Sequence, residues 1–123
     1  MEKIARGARQ HKHRCAIAPR DLTLRARGLD PAVFLDVTPN PRAAEVATGY
    51  EAFRRHHGDG LVALGGGSVI DTAKGVAVLA SNGGHILEYE GIDRATRSLP
   101  PLVAVPSTAG SGADVSQFCV IND

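Results

Sequence analysis

Glycine and serine are concentrated in one short segment, Gly65-Gly66-Gly67-Ser68, directly after the apolar run 61–64. The following residues, 69–80, are apolar on nearly every side, which predicts a mostly buried helix. Glycines at such a turn let the backbone approach an anion, and the first N–H groups of the helix point toward it. The segment therefore predicts a phosphate-binding turn, with a merely tight structural turn as the alternative. It is neither a Walker A loop nor the standard dinucleotide fingerprint, whose last glycine is replaced by Ile70.

A second loop of small residues, 106–112, follows the apolar run 102–105. Open α/β sheets bind ligands in the crevice outside the carboxyl ends of their strands. If both apolar runs are parallel strands, the two loops meet at the same edge of the sheet. The pattern therefore predicts one shared cleft for a nucleotide.

Ser68 and Asp71 are three residues apart at the start of the predicted helix, a spacing typical of a capping box. Lys74 follows one turn later. Its ammonium group can pair with Asp71 or extend toward the cleft, and a paired or solvated lysine is the simpler interpretation.

The elements that position these loops follow from the remaining pattern. Two apolar runs, 32–37 and 118–121, predict further strands. Asn40 and Pro41 suit the N-cap and first position of a helix, and Gly58 suits the left-handed residue beyond its end. Strands and helices alternate at βαβ spacing, and the apolar runs lack alternation, as in strands covered on both faces. The predicted class is α/β with a mostly parallel sheet.

Composition places the 123-residue chain among ordinary soluble globular proteins, with 43% hydrophobic and 22% charged residues. Residues 1–28 hold eight of the 14 Lys and Arg residues but only two of the 13 acidic ones. We therefore expect a basic N-terminal arm over 1–28 and a nucleotide-binding domain over 29–123. The arm lacks interleaved aromatic residues, so nucleic-acid binding is not indicated. No run reaches the length of a membrane span, and a cytoplasmic location is expected.

The histidines and cysteines predict no catalytic or metal-ligating residue. His11, His13 and Cys15 are explained more simply by a solvated basic arm than by a metal site. Cys119 lies in an apolar run, which predicts a buried, reduced thiol. No Ser-His-Asp or Cys-His arrangement stands out.

Three motifs resemble those of the iron-containing (group III) alcohol dehydrogenase family. Pro39-Asn40-Pro41 is similar to the step before that family's second helix. Gly65-Gly66-Gly67-Ser68-Val69-Ile70-Asp71-Thr72-Ala73-Lys74 resembles its GGGS-x-x-D-x-A-K signature. Pro106-Ser107-Thr108-Ala109-Gly110-Ser111-Gly112 resembles its PTTAGTGSE loop, although Ala113-Asp114 replaces the usual Ser-Glu. The resemblance covers residues 29–123.

This resemblance implies the N-terminal, Rossmann-like nucleotide-binding part of an NAD- or NADP-dependent oxidoreductase. In the family, hydride transfer interconverts small alcohols and aldehydes, and a helical domain holds Fe²⁺ or Zn²⁺ through one Asp and three His. We expect these ligands beyond residue 123, which makes the chain a truncated and inactive fragment. The alternative is a non-catalytic nucleotide-binding fragment or gene remnant. The nucleotide-binding residues implied by the motifs are Asn40, Gly66, Gly67, Ser68, Asp71, Ser107, Thr108 and Ser116.

Without the helical domain, the fragment is expected to expose an apolar face. Such a face favours association, so a homo-oligomer is a further expectation from the sequence.

Overall fold

Four parallel strands form the sheet in the computed structural model, which describes residues 13–16 and 22–123. The strands are β1 (His13–Ala16), β2 (Leu29–Ala32), β3 (Gly60–Gly65) and β4 (Leu102–Pro106). The helices are α1 (Leu22–Ala26), α2 (Ala43–Arg55) and α3 (Gly67–Asn82), followed by a 3₁₀ turn at Ile86–Tyr89. The predicted α/β class with a parallel sheet is confirmed.

The strand order is β2-β1-β3-β4, so β2 and β3 lie on opposite sides of β1. The chain leaves β1 through α1 to reach β2 on one side, and then returns through α2 to β3 on the other side. Since parallel crossovers are right-handed, α1 covers one face of the sheet and α2 and α3 cover the other. Such a reversal opens a crevice at the carboxyl ends of the strands, where α/β proteins bind ligands.

The core lies between the sheet and the helices α2 and α3, which pack against each other. Gly49 on α2 and Gly75 on α3 allow this close approach. An ideal Cβ on Gly75 would lie 2.9 Å from Val46 Cγ1, and one on Gly49 would lie 3.0 Å from Val76 Cγ2. The fully buried side chains of this core include Leu61, Ile70, Leu79, Val46, Val76 and Thr72.

The expectation that both faces of the strands are covered is wrong for the described residues. Leu61 and Ala63 of β3 point toward the helices and are buried, whereas Leu64 is 41% exposed. Val103 and Val105 of the edge strand β4 are 44% and 42% exposed. Alternate residues of a strand face opposite sides, and only the side under α2 and α3 is covered along β3 and β4.

The predicted strand over 32–37 is wrong in its position, because β2 ends at Ala32. β2 pairs with β1 from His13↔Leu29 to Ala16↔Ala32, so its partner ends at the same level. Pro31 is tolerated inside β2 because this strand lies at the edge of the sheet.

The predicted strand over 118–121 is also wrong. Residues 118–121 form no strand, and only the next residue, Asn122, makes an isolated parallel bridge, with Arg42. The backbone groups of 118–121 form hydrogen bonds with side chains of α3 instead. Lys74 Nζ donates to the carbonyl of Phe118, and Asp71 Oδ2 accepts from the N–H of Val120.

The expected boundary between a basic arm, 1–28, and a nucleotide-binding domain, 29–123, falls between two paired strands of one sheet, β1 and β2. β1 belongs to the segment set apart as a basic arm, yet it pairs with both β2 and β3. Its sequence, HRCA, carries two basic residues and is not an apolar run, which is why the pattern did not predict it. The rest of the arm, over 1–12 and 17–21, lies outside the described residues.

The helix starts differ from the predicted caps. Arg42, not Asn40, is the N-cap of α2, and Asn40 adopts a left-handed conformation with φ 58°. Gly66, not Ser68, is the N-cap of α3, so Ser68 lies within the first turn and the predicted capping box does not form. Beyond α2, His57 rather than Gly58 is left-handed, with φ 52°.

Glu45 supplies the cap that Asn40 was expected to provide. Its carboxylate accepts hydrogen bonds from the N–H of Arg42 at 3.0 Å and from the N–H of Thr38 at 3.3 Å. The hydroxyl of Thr38 also donates to it. The Thr38 hydroxyl, followed by the Arg42 N–H, lowers the pKa of the Glu45 carboxyl below its ordinary value, because these donors favour the charged form.

We predict that Glu45→Gln lowers the unfolding free energy at pH 7 by about 0.5 kcal/mol, a low value for a cap because the carboxylate is solvated. Because the pKa of Glu45 is lowered in the folded state, its contribution is complete above the unfolded pKa and is lost as the pH falls through the folded pKa. The difference between wild type and variant should therefore shrink toward pH 3, roughly, as urea titrations at each pH would show. Glu51→Gln removes another carboxylate from α2, one paired with Arg54, and serves as the control. A wild-type advantage that persists unchanged in acid would contradict the prediction.

No helix within the described residues is long and apolar enough to cross a membrane.

Candidate nucleotide site

The two loops of small residues begin side by side at the carboxyl edge of the sheet. β3 and β4 are paired as far as Gly65↔Pro106, and the N–H of Ser107 donates to the carbonyl of Gly65 at 2.8 Å. An ideal Cβ on Gly66 would lie 3.3 Å from Thr108 Oγ1. The predicted meeting of the two loops is confirmed.

The glycine turn leads directly into the sixteen-residue helix α3, with Gly66 as its N-cap. Gly66 has no side chain that could accept hydrogen bonds from the first N–H groups of the helix. Its carbonyl accepts from the N–H groups of Val69 and Ile70 at 3.1 and 3.2 Å. The N–H groups of Gly67 and Ser68, in the first turn, have no acceptor inside the helix. Together with the positive end of the helix dipole, they form an environment that favours an anion.

The opposite side of the cleft contains the second loop. An ideal Cβ on Gly67 would lie 3.2 Å from Ser111 Oγ, so this loop packs against the glycine turn. Ser107 and Thr108 are exposed, and the Thr108 hydroxyl, which can donate a hydrogen bond, lies beside the Cβ position of Gly66.

Lys74 binds the segment that follows the second loop. Its Nζ donates to the carbonyl of Ser116 at 2.7 Å, to Ser116 Oγ at 3.1 Å and to the carbonyl of Phe118 at 2.8 Å. Nζ also lies 4.0 Å from Asp71 Oδ1, and both side chains are only 14% exposed. The interpretation of Lys74 as a paired lysine is confirmed.

Asp71 is held by the same segment, since its Oδ2 accepts from the N–H of Val120 at 3.2 Å. Ser116 Oγ donates to the carbonyl of Phe118 at 3.2 Å in addition to accepting from Lys74. The carboxylate of Asp71 and the hydroxyl of Ser116 therefore both have protein partners.

Asn40 lies apart from the two loops. It is exposed at the start of α2, in a hollow whose lining includes neither the glycine turn nor the second loop. The structure thus brings seven of the eight predicted residues to the first turns of α3 and the loops beside it, and leaves Asn40 in this separate hollow. The residues lining the hollow are Thr38, Pro39, Asn40, Arg42, Glu45, Asn122 and Asp123.

Cys119 lies beside the Asp71–Lys74 pair, half-buried and without a disulfide partner. Burial raises the pKa of its thiol, the charge of Asp71 raises it further, and Lys74 acts in the opposite direction. The sequence predicted a buried thiol, whereas the structure leaves the Cys119 side chain only half-buried.

Comparison with known proteins decides the family. The family model for iron-containing alcohol dehydrogenase matches residues 5–123. The chain belongs to the iron-containing alcohol dehydrogenase family. The match begins well before residue 29, so it also includes β1 and most of the basic N-terminal arm over 1–28.

Two curated relatives support this assignment. The 1,3-propanediol dehydrogenase of Citrobacter freundii is 43% identical over 100 residues, which are 81% of this chain and 26% of the relative. The NAD-dependent methanol dehydrogenase of Bacillus methanolicus is 39% identical over 100 residues, with the same shares covered. The chain therefore spans about a quarter of the length of these curated relatives.

A crystal structure of 1,3-propanediol oxidoreductase superposes on the chain with a TM-score of 0.82 and 36% sequence identity. The superposition covers 89% of this chain and 32% of that structure. The Rossmann-like fold expected for this alcohol dehydrogenase family is therefore confirmed.

The described residues do not form the metal site of an iron-containing alcohol dehydrogenase. Within them, no three His, Cys, Asp or Glu side chains come together in a way that could hold a metal ion. The side chains of His11, His13 and Cys15 lie outside the described part of the chain.

Sequence reasoning missed the partners of Lys74. The spacing of Asp71 and Lys74 on one helix face indicated their pairing. The hydrogen bonds to Ser116 and Phe118, however, join residues 42 and 44 positions apart. No local pattern carries such a contact, because it depends on how the second loop returns across α3.

Proposed function

We propose that the chain binds a nicotinamide dinucleotide, NAD or NADP, across the cleft between residues 66–68 and 107–111, as the nucleotide-binding part of an alcohol oxidoreductase. One observation carries this proposal. The pairing of β3 with β4 places a glycine turn that caps a long helix beside a second loop of small residues. The similarity to the NAD-dependent methanol dehydrogenase of Bacillus methanolicus supports the choice of nucleotide.

The pyrophosphate is proposed to bind at the start of α3. There it would accept hydrogen bonds from the N–H groups of Gly67 and Ser68, while Ser107 and Thr108 donate from the facing loop. We assign Gly66 to the close approach of backbone and phosphate, since a side chain at this position would point toward Thr108. The motif resemblance adds Asn40, Asp71 and Ser116 to the proposed nucleotide-binding residues.

A merely tight structural turn accounts fully for only one of the three glycines. An ideal Cβ on Gly65 would lie 2.7 Å from Val69 Cγ2 and 2.9 Å from Val69 Cβ, so packing alone requires glycine there. The nearest contacts for Gly66 and Gly67 are 3.3 and 3.2 Å, to side-chain atoms of an exposed loop. Packing restricts Gly66 and Gly67 less severely than Gly65, which favours a turn that approaches a ligand over a turn that only saves space.

The proposed reaction of the whole protein is hydride transfer between the carbon of a small alcohol and the nicotinamide ring. In the family, Fe²⁺ or Zn²⁺ polarises the alcohol oxygen, and its ligands belong to the helical domain. The residues described in this chain would bind and orient the nucleotide. We therefore expect these 123 residues alone to bind nucleotide without oxidising alcohols.

The proposal is tested by titrating the purified chain with NADH and with NADPH while following nucleotide fluorescence. We expect saturable binding that excess ADP reverses, because ADP carries the pyrophosphate and adenosine but no nicotinamide. A parallel assay with NAD⁺, Fe²⁺ and 1,3-propanediol measures turnover, which should be absent. A chain that is folded by circular dichroism yet binds neither nucleotide saturably would overturn the proposal.

A further inference from the structure

Lys74 joins α3 to the far end of the second loop. Its ammonium group has three hydrogens, and it donates to three oxygens on Ser116 and Phe118 at 2.7–3.1 Å. We propose that Lys74, paired with Asp71, is a positioning residue that fixes segment 112–120 against α3 and thereby sets the shape of the nucleotide cleft. This inference rests on the proposed nucleotide-binding function.

A continuous series of contacts connects Lys74 with the cleft. The N–H groups of Ser116 and Val115 donate to the carbonyl of Gly112 at 3.1 and 3.2 Å, forming one turn. Gly112 follows Ser111, whose side chain lies 3.2 Å from the Cβ position of Gly67. A shift of Ser116 away from Lys74 would therefore move the loop wall that faces the glycine turn.

The chemistry of the contact favours a lysine held for position over one that binds ligand. All three donors of the ammonium group have protein acceptors, so none is left for a phosphate. Asp71, at 4.0 Å, offsets the charge of Lys74 and also accepts from the N–H of Val120. The pair thus binds the returning segment at three residues, Ser116, Phe118 and Val120.

A neutral side chain cannot replace this contact. In Lys74→Met the carbonyls of Ser116 and Phe118 lose their donor, and Asp71 keeps a mostly buried charge without its partner. We expect the segment to detach from α3 while the sheet and the packing of α2 on α3 remain, because Lys74 takes no part in that core.

The test compares Lys74→Met and Lys74→Arg with a destabilised control, Val46→Ala, which removes buried methyl groups between α2 and α3. NADH affinity is measured by fluorescence, and backbone mobility by hydrogen exchange of peptides spanning 112–120. We expect Lys74→Met to bind NADH about tenfold more weakly, with faster exchange in this segment. Lys74→Arg, which keeps charge and donors, should recover part of the affinity. Val46→Ala should lower the melting temperature at least as much as Lys74→Met and keep wild-type affinity.

Each outcome bears on the inference separately from the proposed function. Wild-type affinity in Lys74→Met, or unchanged exchange over 112–120, would overturn the positioning role while leaving nucleotide binding intact. An equal loss of affinity in Val46→Ala would also overturn it, since lower stability alone would then explain the effect. Absence of NADH binding by the folded wild type would overturn the proposed function, and the role of Lys74 in the cleft with it.

Discussion

Replacing Gly75 with leucine is expected to lower the unfolding free energy by about 3 kcal/mol, the upper range for an overpacked core. An ideal Cβ at this position would lie 2.9 and 3.1 Å from the two Cγ atoms of Val46 and 3.6 Å from Ile86 Cδ1. Val46 is fully buried and β-branched, so it cannot rotate away into solvent. The helices α2 and α3 must therefore separate to admit even the first carbon of the new side chain.

The remaining leucine atoms would enlarge this separation and expose core residues such as Val76. Small domains are stable by only about 5–15 kcal/mol, so the variant should be partly unfolded under mild conditions. Urea unfolding followed by circular dichroism measures the effect. Gly75→Ala should be affected less, since the better helix propensity of alanine offsets part of the strain, by about 1 kcal/mol.

Ala44→Leu is the matched control for the Gly75 variant. It adds a leucine side chain on the exposed side of α2, where the structure places no core contact. Its urea midpoint should stay close to that of the wild type. If Gly75→Leu unfolds at the same urea concentration as this control, the contact between α2 and α3 is looser than the structure indicates and the prediction fails.

Gly66→Asp is expected to reduce NADH affinity by at least about a hundredfold without loss of stability. Gly66 is the N-cap of α3 with φ −79° and ψ −173°, an extended conformation that any residue can adopt. Aspartate is a better N-cap than glycine by a few tenths of a kcal/mol, so the melting temperature should be unchanged or slightly higher. Its Cβ would lie 3.3 Å from Thr108 Oγ1, so the side chain would enter the space between the two loops.

Two effects combine against the nucleotide in this variant. The carboxylate would occupy the N–H groups at the start of α3 that we assign to the pyrophosphate, and its negative charge would repel the phosphates. NADH fluorescence titration and thermal unfolding are measured on the same sample. Ala44→Asp, which adds a carboxylate near the start of α2, controls for the change in net charge. Unaltered NADH affinity in Gly66→Asp would show that the nucleotide does not bind at this turn.

The parts of the fold that were predictable from sequence are those with local causes. The run 61–64, the glycines after it and the apolar helix beyond them indicated β3, the turn and α3, because each element is specified by adjacent residues. The meeting of the two loops followed because neighbouring parallel strands end at the same edge of a sheet, where such sheets bind ligands. The family resemblance of these motifs is confirmed by the match over residues 5–123.

The parts that could not be predicted depend on distant partners. β1 has the polar sequence HRCA, and it is a strand because β2 and β3 pair with it on both sides. Asn40 has the side chain of a good N-cap, but Glu45 binds the N–H of Arg42 instead and the helix begins two residues later than predicted. The segment 118–121 has the composition of a strand, but α3 side chains bind its backbone groups.

The bridge between Arg42 and Asn122 has a consequence for the order of events during synthesis. The N–H of Ala43, in the first turn of α2, donates to the carbonyl of Asn122 at 2.8 Å, and the N–H of Asn122 donates to the carbonyl of Pro41 at 2.8 Å. A ribosome makes α2 and α3 well before it adds Asn122. The two helices can pack on each other as soon as both have emerged, but the start of α2 must stay hydrated until residue 122 leaves the exit tunnel. A nascent chain stalled just short of this point should therefore be open to proteases around residues 38–43, and one stalled well beyond it should be protected.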